Sequence, residues 1–567
     1  MVVFKSKREI DLPRLDLLSL LFDSDWCLAL EETKIHVQAA NPSNSITKAE
    51  SRGLLKQVAY VLRHRFGIGA SGAGKDVVLT VLSGSPFAPV FFYGVVAAGG
   101  IFSGASTEYR VEELTRQIED GAVTLLVCSP ECEAQVVQAA DACGIARDRV
   151  LILDSTIPHS WKLISVADRS DVLERSRGKM LEWQRITDQR RLEEVTTCLL
   201  YSSGTTGLPK GIRISHWSLV ANNVCTMDPA RRYQALCKRE GREFTFNTIA
   251  HLPMSNIAGI SLYSTNPFYM GGTTWWMEKY DFDSFLEYHR RYRPAYQFSV
   301  PPVWLRIAKS DKVTDHFDAL QVAVTGAAPI GDDVVREVRK KLGRGRAHMA
   351  QTWGTTETTG VIAATDWPAY AKDGTWSVGE LCPNVTLRVV DEDGQDLAEG
   401  QPGEMLVGGP ILAQAYHNRP QATLESFQDG FYRTGDIGTY KDGHVRIVDR
   451  KKELIKYKGA QVAPAELEAL LTSHPRIADA AVIGLWDDQQ QTEVPRAYVV
   501  SRLQPGGEPI TAQEVADFVK RNAASYKQLR GGVFFVNEIP KSASGKILRK
   551  ELRSKARLPS SPVQAKL

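Results

Sequence analysis

The feature that most constrains the fold is an alternation of strand-like and helix-like segments that begins near residue 53. DVVLTVL, VTLLVC and RVLIL have the length and composition of buried strands. Between them lie segments with helical periodicity, among them LLKQVAYVLRHRF, VEELTRQIEDG and ECEAQVVQAADACG. Strands and helices in this order predict a parallel sheet covered by helices. The same alternation returns from FDSFLEYHRRYRP to GDDVVREVRKKLG.

The pattern changes after residue 377. VTLRVVDEDG, GEMLVGG and GTYKDGHVRIVDR are short strands separated by tight turns, which are typical of a β-rich subdomain. A charged stretch, Asp449–Lys456, then precedes a second α+β pattern. We therefore predict an α/β protein with a large N-terminal domain (1–449) of helix-covered, largely parallel sheets, which includes a β-rich subdomain at about 377–449. A hinge (450–453), a small mobile α+β C-terminal domain (454–557) and a flexible Pro/Ser-rich tail (558–567) would follow.

The composition is that of an ordinary soluble globular protein. Of 567 residues (62.8 kDa), 43% are hydrophobic and 24% charged, and 69 basic against 66 acidic side chains leave a net charge of +3. So small a net charge argues against nucleic acid as the main partner. The eight scattered cysteines lack a zinc-binding pattern and are predicted to be reduced thiols. The longest apolar window, Pro86–Phe102, contains two prolines and three glycines, which favours a buried helix over a membrane span.

One glycine-rich segment, Gly69–Asp76, comes close to the Walker A pattern G-x-x-x-x-G-K-[ST], which binds nucleotide phosphates. Asp76 stands where that pattern needs a hydroxyl for magnesium, and its charge would repel a phosphate. The glycines also precede a strand, whereas a Walker loop follows a strand and opens a helix. We therefore interpret this segment as a connector.

A second glycine-rich segment, YSSGTTGLPKGI at Tyr201–Ile212, is a better candidate for phosphate binding. It follows the apolar strand TTCLL, and its glycines allow backbone N–H groups to point at an anion. The strand-like IRIS that follows excludes the Walker arrangement. The phosphate loop, as we call Ser202–Lys210, would bind through Ser202, Ser203, Gly204, Thr205, Thr206, Gly207 and Lys210. Taken alone, the segment could also be a surface turn.

Several separate motifs resemble, in the expected order, those of the adenylate-forming superfamily, which includes acyl-CoA synthetases, luciferases and the adenylation domains of peptide synthetases. They are SSGTTGLPKG, VTGAAPIG, QTWGTTET, YRTGD, DRKKELIKYKGAQVAPAELE and PKSASGKILRKELR. FKSKREIDLP near the start also resembles 4-coumarate:CoA ligases. The resemblance covers nearly the whole chain. It implies an acid–thiol ligase that uses ATP and Mg²⁺ to form an acyl-adenylate with release of pyrophosphate, and then transfers the acyl group to coenzyme A.

The resemblance implies roles in the adenylation half-reaction. The phosphate loop would hold the β- and γ-phosphates of ATP, Glu357 would bind Mg²⁺ through its carboxylate, and Thr356 would donate to the α-phosphate. Asp436 would accept hydrogen bonds from the ribose hydroxyls, with Arg450 assisting at the ribose and phosphate. Trp353 stands where relatives usually have tyrosine and would stack on adenine. Further contacts to ATP or AMP would come from Ala327, Ala328, Gln351, Thr352, Lys456 and Gln461.

Lys546 is the predicted catalytic lysine. It lies in the small polar loop SASGK, which would let its long side chain reach a neighbouring domain. In the family, the matching lysine bridges the carboxylate substrate and the α-phosphate, whereas a lone lysine in a basic segment is normally solvated. With Thr356 and Glu357 it completes the predicted catalytic set.

The second half-reaction is assigned to the segment after the hinge. KYKGAQV, Lys456–Val462, is the form seen in CoA ligases of the 4-coumarate type, and Lys458 and Gly459 would line the approach of CoA. Lys452 falls at the hinge about which the C-terminal domain would turn between half-reactions.

The motifs do not identify the substrate acid. In HLPMSNIAG, relatives commonly have an aromatic residue followed by histidine at the positions of Ser255 and Asn256. The histidine position borders the acyl pocket, and asparagine can form hydrogen bonds there but carries no proton. The hydroxycinnamate preference of 4-coumarate ligases is therefore not assumed. With Asn256, the predicted pocket residues are Thr325, Thr359, Gly360 and Val361, which suit an aromatic, fatty or polyketide-like acid.

The last three residues, Ala565, Lys566 and Leu567, resemble the Ser-Lys-Leu peroxisomal address. They predict recognition by the peroxisomal import receptor, with the cytoplasm as the location otherwise. A small-molecule carboxylic acid is the other expected partner.

Two other functions stay open at the level of sequence. An adenylating enzyme could load a carrier-protein thiol, although KYKGAQV favours CoA. A nucleotide-binding protein without catalysis would be expected to lack part of the motif set, yet Glu357, Asp436, Arg450 and Lys546 are all present.

Overall fold

The computed structural model describes residues 2–202, 209–367, 377–458, 460–502, 509–542 and 545–557. Its α-helices are α1 (Lys48–Phe66), α2 (Phe87–Ala97), α3 (Val111–Asp120), α4 (Glu133–Ala142), α5 (Gln189–Glu194), α6 (His216–Arg239), α7 (Asn266–Tyr269), α8 (Phe282–Tyr292), α9 (Pro301–Lys309), α10 (Asp332–Lys341), α11 (Pro420–Ser426), α12 (Pro464–Ser473), α13 (Ala512–Asn522) and α14 (Arg549–Arg557).

The strands of the N-terminal domain up to residue 364 are β1 (Phe4–Lys5), β2 (Lys34–Gln38), β3 (Ser45–Thr47), β4 (Val77–Val81), β5 (Ile101–Gly104), β6 (Val123–Cys128), β7 (Val150–Asp154), β8 (Lys162–Ser165), β9 (Thr196–Ser202), β10 (Lys210–Ser215), β11 (Thr248–Ala250), β12 (Thr274–Trp276), β13 (Tyr296–Ser299), β14 (Val322–Thr325), β15 (His348–Thr355) and β16 (Gly360–Ala364). The later strands are β17 (Glu380–Leu381), β18 (Thr386–Val390), β19 (Gly403–Gly408), β20 (Ala415–Tyr416), β21 (Phe427–Gln428), β22 (Phe431–Lys441), β23 (His444–Arg450), β24 (Ile455–Tyr457), β25 (Ala460–Val462), β26 (Ile477–Asp487), β27 (Thr492–Ser501) and β28 (Val533–Phe535).

Two sheets with parallel centres form the frame of the N-terminal domain. The larger has the order β20-β10-β9-β5-β4-β6-β7-β8, parallel from β9 to β7 and antiparallel at both edges. The second has the order β13-β14-β15-β16-β17, with β13 to β15 parallel. β4 is buried along its whole length, as expected for a parallel strand covered on both faces. The predicted α/β fold is confirmed.

The apolar window that could be mistaken for a membrane span forms α2 and β5. Every residue of α2 is buried, because the helix packs against α1 and the large sheet. Within the described ranges, no helix is both long and apolar enough to cross a bilayer. The connector at Gly69–Asp76 forms turns between α1 and β4. A Cβ added at Gly69, where φ is +74°, would lie 1.9 Å from the carbonyl oxygen of Ala98, so the glycine is needed for this close approach.

The β-rich subdomain is an antiparallel sheet of order β1-β18-β19-β22-β21, with β23 on β22. Its edge strand β1 comes from the N-terminus, since Phe4 pairs with Leu387 and stacks on Tyr440 at 4.5 Å. The sequence does not predict this pairing, because two strands almost 400 residues apart share no local signal.

The C-terminal domain consists of the sheet β26-β27-β28, the hairpin β24-β25 and the helices α12 to α14. It packs against the N-terminal domain at α9 and α10. The Lys309 ammonium donates to the carbonyls of Ile477 and Ala478, and Arg502 donates back to the Lys309 carbonyl at 2.7 Å. β23 ends at Arg450 and β24 begins at Ile455, so the predicted hinge at 450–453 lies in the connection between them.

Candidate active site

A buried aspartate at the junction of the β-rich subdomain and the second sheet contacts two of the other predicted site residues. Asp436, on β22, is 4% exposed. The Trp353 indole N–H on β15 donates to its Oδ2 at 2.8 Å, and the Arg450 Nε lies 3.3 Å from Oδ1. Asp436 and Arg450 are also backbone partners in the β22–β23 ladder. Three of the predicted nucleotide-binding residues are therefore in direct contact.

The predicted magnesium ligand lies in the turn that follows β15. Glu357 is 8% exposed and sits in a short 3₁₀ turn, Thr356–Thr358, which a hydrogen bond between Thr355 and Thr358 caps. The Tyr416 hydroxyl donates to Glu357 Oε1 at 3.1 Å. Thr356 is half-buried beside it. The described residues contain no group of three or more His, Cys, Asp or Glu side chains that could hold a metal by themselves.

The phosphate loop closes a β-hairpin. Ser202 at the end of β9 pairs with Lys210 at the start of β10, so the prediction that a strand and not a helix follows the loop is confirmed. The Lys210 ammonium lies 4.8 Å from the centroid of the Tyr416 ring. Ser203, Gly204, Thr205, Thr206 and Gly207 lie outside the described residues.

Lys546 extends from the C-terminal domain toward the same carboxylates. Burial lowers the pKa of its ammonium and nearby Arg450 lowers it further, while Glu357 and Asp436 act in the opposite direction. The charge of Lys546 is thus felt at both acidic groups of the N-terminal domain. A Cβ added at Gly545 would lie 3.2 Å from Pro302 and Val300, which shows how closely this loop meets the start of α9.

The predicted adenine-binding segment follows the carboxyl ends of parallel strands, where ligands of open α/β sheets bind. Thr325 on β14 pairs with Gln351 on β15, and the Thr352 hydroxyl donates to the Thr325 carbonyl at 3.2 Å. Ala327 follows with a left-handed φ of +71° and an exposed side chain, and Ala328 is half-buried. The structure brings this group to the same edge of the sheet as Trp353.

The predicted acyl-pocket residues fall into two groups. Thr359, with φ +56°, Gly360 and Val361 form the turn and strand after Glu357, and Thr325 lies on β14, on the other side of β15. The buried hydroxyls of Thr325 and Thr359 have no hydrogen-bond partner among the described residues. Asn256 instead caps the π-helical segment Gly259–Thr265 by accepting from the Gly259 N–H at 3.0 Å.

The other residues of the Asn256 segment are structural. A Cβ added at Gly104 would come within 2.7 Å of the Ser255 Cα, so β5 packs directly on this segment. His251, five residues before Asn256, is buried and hydrogen-bonded to the Ser299 hydroxyl at 2.9 Å. Burial lowers the pKa of His251 to about 3, which keeps the imidazole neutral near pH 7.

The β24–β25 hairpin carries two predicted ATP or AMP contacts, Lys456 and Gln461, and the predicted CoA residue Lys458, and none of the three contacts the carboxylate cluster in the described structure. Lys456 and Gln461 are cross-strand neighbours on the β24–β25 hairpin, with both side chains exposed. The Lys458 N–H donates to Thr492 on the domain's own sheet at 2.8 Å, and Gly459 lies outside the described residues. The predicted hinge residue Lys452 is exposed as a residue, but burial around its ammonium and the charge of Arg450 lower its pKa to about 8, while Glu453, Asp436 and Glu357 act in the opposite direction.

One cavity among the described residues lies away from this chemistry. About 290 Å³ of space separates the Gly69–Ala73 turn from Asp16, Trp183 and His216. None of the predicted site residues lines it. A groove of about 310 Å³ runs between α9 and the C-terminal domain, near Lys309 and Arg502.

Two residues that contact the site were missed by sequence reasoning. Tyr416 contacts both Lys210 and Glu357, as described above. Asn222, on α6, is 2% exposed and donates to the carbonyls of Val361 at 3.0 Å and Thr358 at 3.4 Å, so it supports the turn that carries the predicted acyl-pocket residues. α6 itself was not predicted, since its buried face includes polar residues. An asparagine inside a helix has no local signal of such a role.

Comparisons with known proteins agree with this geometry. A family model described as "AMP-binding enzyme" matches residues 29–417, and one described as "AMP-binding enzyme C-terminal domain" matches residues 466–546. A protein of Emericella nidulans named "Putative acyl-coenzyme A synthetase" is 43% identical over 556 residues, covering 97% of this chain and 98% of its own. Phenylacetyl-CoA ligase epaB of Aspergillus niger is 32% identical, covering 97% and 99%. 4-coumarate–CoA ligase 2 of Nicotiana tabacum is 34% identical, covering 85% of each chain.

Solved structures match over almost the whole length. The ATP-bound MatB of Rhodopseudomonas palustris aligns with a TM-score of 0.79 and 27% identity, covering 95% of this chain and 98% of its own. The anthranilate CoA ligase AuaEII, at 21% identity, shares the fold with a TM-score of 0.80, covering 96% and 98%. The resemblance to adenylate-forming enzymes and 4-coumarate ligases is confirmed. The chain belongs to the family of AMP-binding enzymes.

Proposed function

We propose that this protein is an ATP-dependent acyl-CoA ligase, which activates a carboxylic acid as acyl-AMP with release of pyrophosphate and then transfers the acyl group to CoA. One observation carries the proposal. The loop that carries Lys546 packs on Val300 and Pro302 of the N-terminal domain, where Glu357 and Asp436 act on its ammonium. Three motifs far apart in sequence thus act on one small volume, as a reaction at the α-phosphate requires.

The arrangement supports adenylation by positioning and charge. When a carboxylate oxygen attacks the α-phosphorus, the bond to the pyrophosphate oxygen breaks and negative charge spreads over the phosphate oxygens. Oriented cations stabilise that charge best where water is excluded. Lys546 would neutralise the α-phosphate and the incoming carboxylate, and Lys210 with the phosphate loop would hold the departing pyrophosphate. Asp436, oriented by Trp353 and Arg450, would fix the ribose.

Magnesium is part of this proposal. A hard divalent cation is commonly held by one or two carboxylates together with substrate phosphates and water. Glu357 fits that requirement, because its carboxylate is buried and the described residues give it a single side-chain hydrogen bond, through Oε1. When bound, Mg²⁺ would neutralise charge on the phosphates of ATP. Glu357 would orient it from the protein side.

Transfer to CoA would use a second domain arrangement. In the observed arrangement, Lys456, Lys458 and Gln461 lie on an exposed hairpin of the C-terminal domain. Rotation about the connection that contains Lys452 would withdraw Lys546 and present this hairpin to the acyl-adenylate. The thiol sulfur of CoA would then attack the acyl carbon and AMP would leave.

The substrate proposed is an aromatic, fatty or polyketide-like acid. The names of the relatives include a phenylacetyl-CoA ligase and 4-coumarate–CoA ligases, which supports an aryl or arylalkyl acid as the first class to test. Asn256 stands at the position where relatives commonly have histidine, so it offers no imidazole there. Its side chain caps a helical segment. A peroxisomal location, based on Ala565, Lys566 and Leu567, is a separate proposal that concerns residues outside the described part of the chain.

A panel of aryl, medium-chain, long-chain and polyketide-like acids tests the proposal. Acid-dependent pyrophosphate release measures adenylation, and mass spectrometry of the products measures the thioester. The expected result is pyrophosphate release with one acid class and an acyl-CoA product only when CoA is present. Acyl transfer to a carrier-protein thiol, with none to CoA, would replace the proposal by the alternative of a carrier-loading enzyme.

A further inference from the structure

Tyr416 contacts two groups that the proposed function uses, and neither the sequence motifs nor the comparisons assign it a role. The centroid of its ring is 4.8 Å from the Lys210 ammonium. Its hydroxyl donates to Glu357 Oε1 at 3.1 Å. The residue is 8% exposed. One buried side chain therefore contacts both a cation of the phosphate loop and the proposed metal ligand.

The position of Tyr416 is set by its neighbours on three sides. β20 pairs with β10, so that Tyr416 stands opposite Ile212, two residues beyond Lys210. Its N–H donates to the Thr423 hydroxyl at 3.1 Å. Phe427 meets its ring edge-on at 5.9 Å. Such packing leaves the ring little freedom to rotate away from Lys210.

Lys210 and Glu357 carry opposite charges and contact different parts of the Tyr416 side chain, the ring and the hydroxyl. Among the ion pairs of the described residues, none joins the two. In a partly buried site, a direct pair would be strongly held and would have to be broken before ATP and its metal could bind. A cation over an aromatic ring is held more weakly, and a phosphate can take its place.

We propose that Tyr416 is a positioning residue that keeps Lys210 and Glu357 apart and oriented, so that the ammonium is available to the β- and γ-phosphates and the carboxylate to the metal. The inference rests on the proposed function, since it presupposes that ATP binds here. It assigns the two halves of the side chain different tasks. The ring separates the charges, and the hydroxyl orients the carboxylate.

Two variants separate these tasks. Tyr416→Leu removes ring and hydroxyl, and Tyr416→Phe removes the hydroxyl alone. Dissociation constants are measured by calorimetry for ATP with Mg²⁺, without acid or CoA, and for AMP, which lacks the phosphates that Lys210 would contact. We expect ATP to bind Tyr416→Leu about tenfold more weakly and Tyr416→Phe no more than about threefold more weakly, with AMP affinity within about twofold for both.

Tyr440→Phe is the matched control. Tyr440 is also 8% exposed, but it stacks on Phe4 in the β-rich subdomain and contacts neither Lys210 nor Glu357 in the described structure. Its affinities for ATP and AMP should match those of the unmodified protein.

Two results would overturn the inference. Wild-type affinity of Tyr416→Leu for ATP would mean that the ring does not separate the charges. An equal loss of ATP and AMP affinity would mean that Tyr416 supports the fold of the site in general. If the unmodified protein bound neither nucleotide, the proposed function itself would fail, and the inference with it.

Discussion

Replacing Lys546 by methionine tests the observed contact between the two domains most directly. Methionine keeps an unbranched side chain and removes the ammonium. The loop backbone does not depend on that ammonium, because the Ser542 N–H donates to the Lys546 carbonyl at 2.9 Å and Gly545 packs on Val300 and Pro302. We therefore expect the fold and the packing of the loop to persist in Lys546→Met.

The expected loss follows from the surroundings of the ammonium. Lys546 is half-buried and lies in the field of Glu357 and Asp436, where charge is weakly screened by water. Removal of one preorganised group that stabilises transition-state charge costs about 3–4 kcal/mol, or a factor of about 10²–10³ in rate. Acid-dependent exchange between ATP and pyrophosphate should fall by that factor.

The pH dependence gives a second test of the same residue. The ammonium is the active form, and burial lowers its pKa below the ordinary value of 10.5. Adenylation should therefore be fully active at pH values below this lowered pKa and decline as the pH rises through it. Lys546→Arg, whose guanidinium stays charged, should be slower than the unmodified protein but lack this alkaline decline.

Two controls complete the design. Lys550→Met removes an exposed lysine from α14, one turn beyond the loop, and should leave the exchange rate unchanged. Thioester formation from a supplied acyl-adenylate and CoA should survive in Lys546→Met within about threefold, since that half-reaction does not need Lys546. Exchange above a tenth of the normal rate in Lys546→Met would refute the assignment of this lysine.

Three further outcomes are expected. Trp353→Phe removes the donor to the buried carboxylate of Asp436, so calorimetry should show a loss of about 1.5–3 kcal/mol in unfolding free energy, and an unchanged melting temperature would contradict the role of the indole N–H. Asn222→Ala leaves two carbonyls of the turn after β15 without their donor. It should raise KM for the acid about tenfold and leave KM for ATP unchanged, whereas equal changes would indicate general damage. Deletion of Lys566 and Leu567 should turn a punctate fluorescent fusion cytosolic, and persistent puncta would exclude the proposed address.

Much of the fold could be read from local patterns. The strand at Val77–Val81 and the helix at Phe87–Ala97 are continuous apolar runs, as elements buried on all sides must be. A Walker loop at Lys210 could be excluded from the strand-like IRIS that follows within a few residues. By contrast, α6 buries the polar residues Asn222 and Asn223. Its sequence therefore lacks the regular spacing of apolar residues that predicts a buried helix. The pairing of Phe4 with Leu387 has no local signal either.

The sequence by itself determined which chemical groups are present and the order of the motifs that carry them, because residue type and short-range spacing are local properties. Through the resemblance to adenylate-forming enzymes, it predicted Glu357, Asp436 and Lys546 as partners in one reaction. Only the tertiary structure decided how they are held. The Trp353 indole donates to Asp436, Tyr416 contacts both Lys210 and Glu357, and Asn222 supports the turn of the predicted acyl pocket. These contacts join residues 59 to more than 200 positions apart, so their energies depend on how distant segments pack and not on any neighbouring residue.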